Sequence, residues 1–124
     1  MIGAIIAAIF LTAYDFYPEA DFLKMHATAY CLEGVTVTGK KVRKGIAATG
    51  RKDLLGKTAI VYQRLPGDEI GDLIGIYEIE DSGCASNVID IWEPTLDDCQ
   101  DLMDQVYADD CHGKVFVLIV NAEG

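Results

Sequence analysis

Residues 80–92 read EDSGCASNVIDIW, and the reading of this stretch decides the fold. Val88-Ile89-Asp90-Ile91-Trp92 has the β-branched and aromatic content of a strand, and aspartate is depleted in strands. Asp81-Ser82-Gly83 just upstream is a turn signal. Within the strand, Asp90 points away from the face of Ile89 and Ile91. Apolar neighbours disfavour a charged carboxyl, and a second carboxylate close by, Asp81, disfavours it further. Asp90 is therefore a candidate proton donor at neutral pH.

Working outward, His26–Cys31 reads as a first strand. Gly34–Gly39 is a loop or short strand, Gly45–Ala48 a short apolar strand, and Thr58–Tyr62 another strand by alternation and β-branching. Leu65-Pro66-Gly67-Asp68 is a turn. Leu73–Ile79 and Val115–Val120 complete the strands. One helix is expected over about residues 96–107. Thr95 caps it with Asp98 three positions on, and Leu96, Cys99, Leu102, Met103, Val106 and Tyr107 recur at helical spacing. Short strands with a single helix indicate a small β-barrel, a mainly β fold.

The chain has 124 residues and a net charge of -10. That length is one domain. The charge argues against nucleic acid as a partner, because phosphate neutralisation needs Lys and Arg. Eight of the ten basic residues lie between Lys40 and Arg64. They form either a solvated surface or the basic wall of a cleft for anionic ligands. Four cysteines without a C-x-x-C pair do not make a zinc site, and no metal or cofactor is expected. Disulfides are expected instead, first Cys99 with Cys111 and then Cys31 with Cys84, with four reduced thiols as the alternative. Residues 1–24 are read as an apolar, signal-like or anchoring segment (Ile2–Ala13) and a linker, so the protein is expected to be secreted or at the cell surface, with membrane association through this segment as the alternative. Residues before Asp21 are expected to be dispensable for folding, and residues 25–124 to form the domain.

The motifs ATAYC, TVTGKKVRKGIAA, LLGKTAIVY and YEIEDSGCASNVIDIW, in that order, resemble the 3D domain. That domain is named for three aspartates and occurs in bacterial cell-wall proteins. It is similar to the catalytic barrel of the membrane-bound lytic transglycosylase A family. The resemblance implies a six- to seven-stranded double-psi β-barrel with one main α-helix. It implies a peptidoglycan lytic transglycosylase acting on glycan strands, with Asp90 as general acid/base and Asp81 tuning it. Thr28, Tyr30, Ser82 and Trp92 would line the substrate cleft, as would Thr49, which stands where the family has its third aspartate. The alternative is a non-catalytic peptidoglycan-binding module, since fold does not fix function.

Overall fold

The computed structural model describes residues 21–121, and the apolar N-terminal segment lies outside them. Six strands close into a barrel: β1 (Asp21–Tyr30), β2 (Ile46–Thr49), β3 (Thr58–Leu65), β4 (Glu69–Asp81), β5 (Val88–Trp92) and β6 (Lys114–Val120). One α-helix, α1 (Leu96–Tyr107), lies between β5 and β6. The ring order is β1-β5-β2-β4-β3-β6. The pairs β1/β5 and β2/β4 are parallel and the other four are antiparallel. Exchanging β1, β2 and β3 with β4, β5 and β6 leaves every pairing and its sense unchanged. The strand connectivity therefore has a pseudo-twofold.

The expected helix bounds match the observed ones. Thr95 caps α1 by accepting a hydrogen bond from the Asp98 amide at 3.1 Å, and its hydroxyl donates to the Asp98 carboxylate at 2.9 Å. The capping pair thus forms through the two side chains. The buried stripe is narrower than its sequence pattern. Leu102 and Val106 are buried, whereas Leu96 and Tyr107, at the two ends, are exposed.

Two strands begin earlier than the sequence pattern shows. β1 starts at Asp21, inside the stretch read as linker, and pairs its residues 21–26 with β6. β4 starts at Glu69, where Gly71 and Asp72 weaken the strand signal. The Gly34–Gly39 stretch forms only an isolated bridge, Val35 to Lys41. The turn at Pro66-Gly67-Asp68 is as expected, with left-handed backbone at Gly67 and Asp68.

Inward-facing Ala47, Ile79, Ile89, Ile91, Val115 and Val117 belong to a single apolar core. Each of these side chains contributes roughly 1–3 kcal/mol by leaving water. β2 and β5 carry this core on one face, which leaves their other face free to present Ala48 and Asp90.

The four cysteines are free thiols, which corrects the expected disulfides. Helical spacing put Cys99 on the right face of α1 but at the wrong end. From Cys99 the helix runs on for eight residues, about 12 Å, before the chain can turn toward Cys111. A disulfide needs Cα atoms within roughly 4.4–6.8 Å. The Cys99 thiol instead meets Cys31, while Cys84 sits apart beside Asp90.

Candidate functional site

Register places the candidate site in one row across four strands. Thr28 of β1 pairs with Asp90 of β5, Asp90 with Ala48 of β2, and Ala48 with Asp81 of β4. A bulge between Ala47 and Ala48 shifts the register by one residue, so that Asp81 rather than Glu80 meets Ala48. The two aspartates are therefore two strand spacings apart at the backbone, about 10 Å. Only the methyl group of Ala48 stands between them.

Asp90 is half-buried, and the Thr28 hydroxyl donates to its Oδ1 at 2.7 Å. Burial raises the Asp90 pKa above the ordinary aspartate value, and the Thr28 hydrogen bond opposes that rise. Among the described residues no basic side chain bonds it. Four of the eight cations of the 40–64 stretch are committed elsewhere. Arg43 is bidentate to Glu80, Lys44 pairs with Glu93 at 2.7 Å, and Arg51 with Asp53 at 2.7 Å. Arg64 stacks over Phe116 and reaches the Met25 carbonyl. These four cations are thus engaged by groups other than Asp90.

Asp81 is held differently. Its Oδ1 accepts from its neighbour Ser82 N at 2.9 Å and from Val37 N at 3.1 Å. The first bond closes the turn, and the second tethers the 31–45 loop to the end of β4. Tyr30 lies close to both aspartates. Burial, followed by the charges of Asp81, Asp90 and Cys84, raises its pKa to about 12, so the phenol is neutral at any physiological pH. Its hydroxyl is buried and, among the described residues, has no hydrogen-bond partner. Such an orphaned group costs on the order of 1–3 kcal/mol.

Thr28, Tyr30, Ser82, Asp81 and Asp90 are therefore brought together. Thr49 and Trp92 are not presented to the site in the same way. Thr49 is 1% exposed and pairs in register with the core residue Ile89. Trp92 is 8% exposed, and its indole donates to the Leu32 carbonyl at 2.8 Å. That leaves little ring face to offer a sugar, and gives Trp92 the role of anchoring the start of the 31–45 loop. Asp53 is exposed and held by Arg51, which keeps its carboxyl below the usual range.

Three contributors are not among the site residues read from the sequence, Cys84 entering there only as a disulfide candidate. Ala48 is the spacer between the carboxylates. Cys84 is half-buried, its thiol pKa raised by burial first and then by Asp90, with its sulfur toward the Val88 carbonyl. Gly50 backs the turn that carries Cys84. A Cβ there would lie 2.2 Å from the Cys84 carbonyl oxygen and 2.7 Å from backbone of Ala85. The glycine directly after the Ile46–Thr49 strand was the available signal for that close approach.

Comparison with known proteins finds no match: no family model, curated protein or solved structure matches the chain.

Proposed function

We propose that this protein is a cell-wall enzyme of the lytic transglycosylase kind, built on a double-psi β-barrel and acting on peptidoglycan glycan strands at the cell surface. The observation that carries this reading is Asp90: a half-buried carboxyl on a strand, with raised pKa, a hydroxyl partner and, among the described residues, no cation. The pseudo-twofold pairing and the two parallel strand pairs support the double-psi assignment. In this reaction protonated Asp90 gives its proton to the glycosidic oxygen as the bond to muramic acid C1 breaks. The resulting carboxylate then takes the proton of the muramic acid 6-hydroxyl as that oxygen closes on C1. The product is a 1,6-anhydro sugar, and no water is consumed. One acid/base group suffices, whereas hydrolysis uses two carboxyls at a set separation. Thr28 orients Asp90, and the neutral Tyr30 phenol offers a donor beside it.

A second reading, a binding module without turnover, is favoured by two observations. Thr49 replaces the third aspartate and is buried, and the Asp81 carboxylate is occupied by two backbone amides. Incubation with purified peptidoglycan and analysis of the products separates the two. Anhydro-muropeptides that disappear in Asp90→Asn, with the fold retained, establish the enzyme. Sedimentation with peptidoglycan without any product establishes the binder. Neither product nor binding ends both readings.

A further inference from the structure

β4 is longer than the strand beside it. β2 pairs with β4 only from Glu78 onward, starting at Ile46. Upstream, Glu69–Tyr77 has β3 on one side and, among the described residues, no strand on the other. The direction of the backbone groups there is set by two hydrogen bonds. Ile79 N donates toward β3, to the Lys57 carbonyl, and Glu78 N donates the other way, to the Gly45 carbonyl. Backbone groups alternate sides along a strand, so Ile76 presents its N–H and C=O on the same side as Glu78, where β2 has already ended. Ile74, at the bulge, has no register partner in β3.

This edge faces an open cleft of about 540 Å3, between β4 and α1, that includes Ile74, Ile76, Leu102, Asp98 and Asp101. That volume lies within the roughly 300–1,000 Å3 of ligand clefts. The edge is blunted only in part, by the bulge at Ile74. Strand edges are ordinarily blunted by Lys or Pro, yet here Leu73 is 54% and Ile76 58% exposed, and residues 69–77 contain neither Lys nor Pro. Gly75 has a separate role: the Tyr77 ring lies over it, and a Cβ would meet the Tyr77 hydroxyl at 2.4 Å. The side chain missing at Gly75 is thus replaced by that ring. The charge of the cleft is negative. Lys44 and Glu93 cancel in their ion pair, which leaves Asp98 and Asp101.

We propose that the upstream half of β4 binds an extended, cationic peptide segment of a partner protein as an added strand. The segment continues the line of β2 beyond Gly45. Its backbone pairs with Ile76, alternate apolar side chains cover Ile74, Ile76 and Leu102, and its Lys or Arg side chains meet Asp98 and Asp101. This surface is independent of Asp90.

The test uses the full-length, 15N-labelled chain at physiological ionic strength, with end-capped peptides of alternating Lys and Val as probe. Saturable amide shifts centred on Gly45, Ile74 and Ile76 are expected. N-methylation of alternate peptide amides should weaken binding about tenfold, since it removes strand hydrogen bonds without changing charge. Asp101→Lys, at an exposed helix position, should weaken it about fivefold. A Glu-Val peptide should not bind. The proposal is overturned if N-methylated and parent peptides bind equally, if the shifts spread over the acidic surface, or if nothing binds at millimolar peptide. It is also overturned if the Ile76 amide is already protected from hydrogen exchange in the peptide-free protein, because the edge is then covered by this chain's own residues or a second copy.

Discussion

Asp90 and Glu80 are both carboxylates drawn into the barrel wall, and their surroundings have opposite effects. Glu80 is 3% exposed, and the guanidinium of Arg43 grips both its oxygens. Hydrogen bonding to Arg43 holds its carboxyl below the usual range despite the opposing effect of burial. Among the described residues Asp90 has only the Thr28 hydroxyl, so burial prevails and its pKa rises. The first arrangement fastens a loop: Arg43, like Lys44 on Glu93, ties the irregular 31–45 segment to the strands. The second fastens nothing and leaves a carboxyl that holds its proton more tightly than an ordinary aspartate. The difference teaches that the partner of a buried carboxylate, more than its depth, separates a structural group from a chemically poised one.

The contrast breaks most visibly at Arg43. Arg43→Met leaves buried Glu80 with only Lys40, 4.0 Å away, whereas Glu80→Met leaves Arg43 in reach of water. The first should lower Tm by on the order of 10 °C and the second by much less, because stranding a buried charge is the costly step. Equal losses in thermal melts would mean that the pair acts through packing alone.

Gly50→Ala probes the other side of the comparison, where backbone contact rather than an ion pair holds the surroundings of Asp90. The new methyl meets rigid main chain of the 84–86 turn, and a loss of about 1–3 kcal/mol is expected in denaturant unfolding. A neutral result would show that this turn moves freely.

Titration gives the two carboxylates opposite signs. The folded pKa of Asp90 lies above its unfolded value of 3.8, so its ionisation costs stability as pH rises through and beyond that value. Asp90→Asn should therefore be more stable than the parent at pH 7, and the gain should vanish below pH 3.8. The folded pKa of Glu80 lies below 4.5, so its stabilisation is present above that value and is lost as pH falls through the depressed one. Glu80→Gln should accordingly be less stable than the parent at neutral pH and converge with it in acid. Stability curves of the two variants that run parallel with pH would remove the distinction.

The smallest effect concerns Cys84. The charge of Asp90 helps raise its thiol pKa, so Asp90→Asn should speed alkylation of Cys84 at neutral pH roughly two- to threefold. Cys111 is away from this site, and its rate should not change. Mass spectrometry of the labelled peptides reads both rates.

Local pattern carried part of this structure and long-range pairing carried the rest. The Val88–Trp92 strand and the bounds of α1 were legible because β-branching, helical spacing and the Thr95 cap are written in adjacent residues. The company of Asp90 was legible only in part. Thr28, Tyr30, Asp81 and Ser82 do surround it, but Ala48 between the aspartates follows from a bulge that no local signal marks. Thr49 and Trp92 were read as cleft residues, yet register turns Thr49 toward the core and a Leu32 carbonyl draws in the Trp92 indole. The course of residues 31–45 was illegible for the same reason. Contacts to Glu80, Asp81, Trp92 and Glu93, each distant in sequence, set it where strand propensity does not.

The pseudo-twofold of the ring also bears on how the chain comes to be folded. Every strand of the first half, β1 to β3, hydrogen-bonds only to strands of the second half, β4 to β6. Neither half contains a sheet of its own. During synthesis, residues up to Leu65 can form no native strand pair until β4 emerges, and β1 waits longer still for β5 and β6. Closing such distant pairs makes the chain a slow, all-at-once folder. It also makes exchange of halves between two copies the natural way for it to misassemble, because a half from a neighbouring molecule satisfies the same pairings as its own.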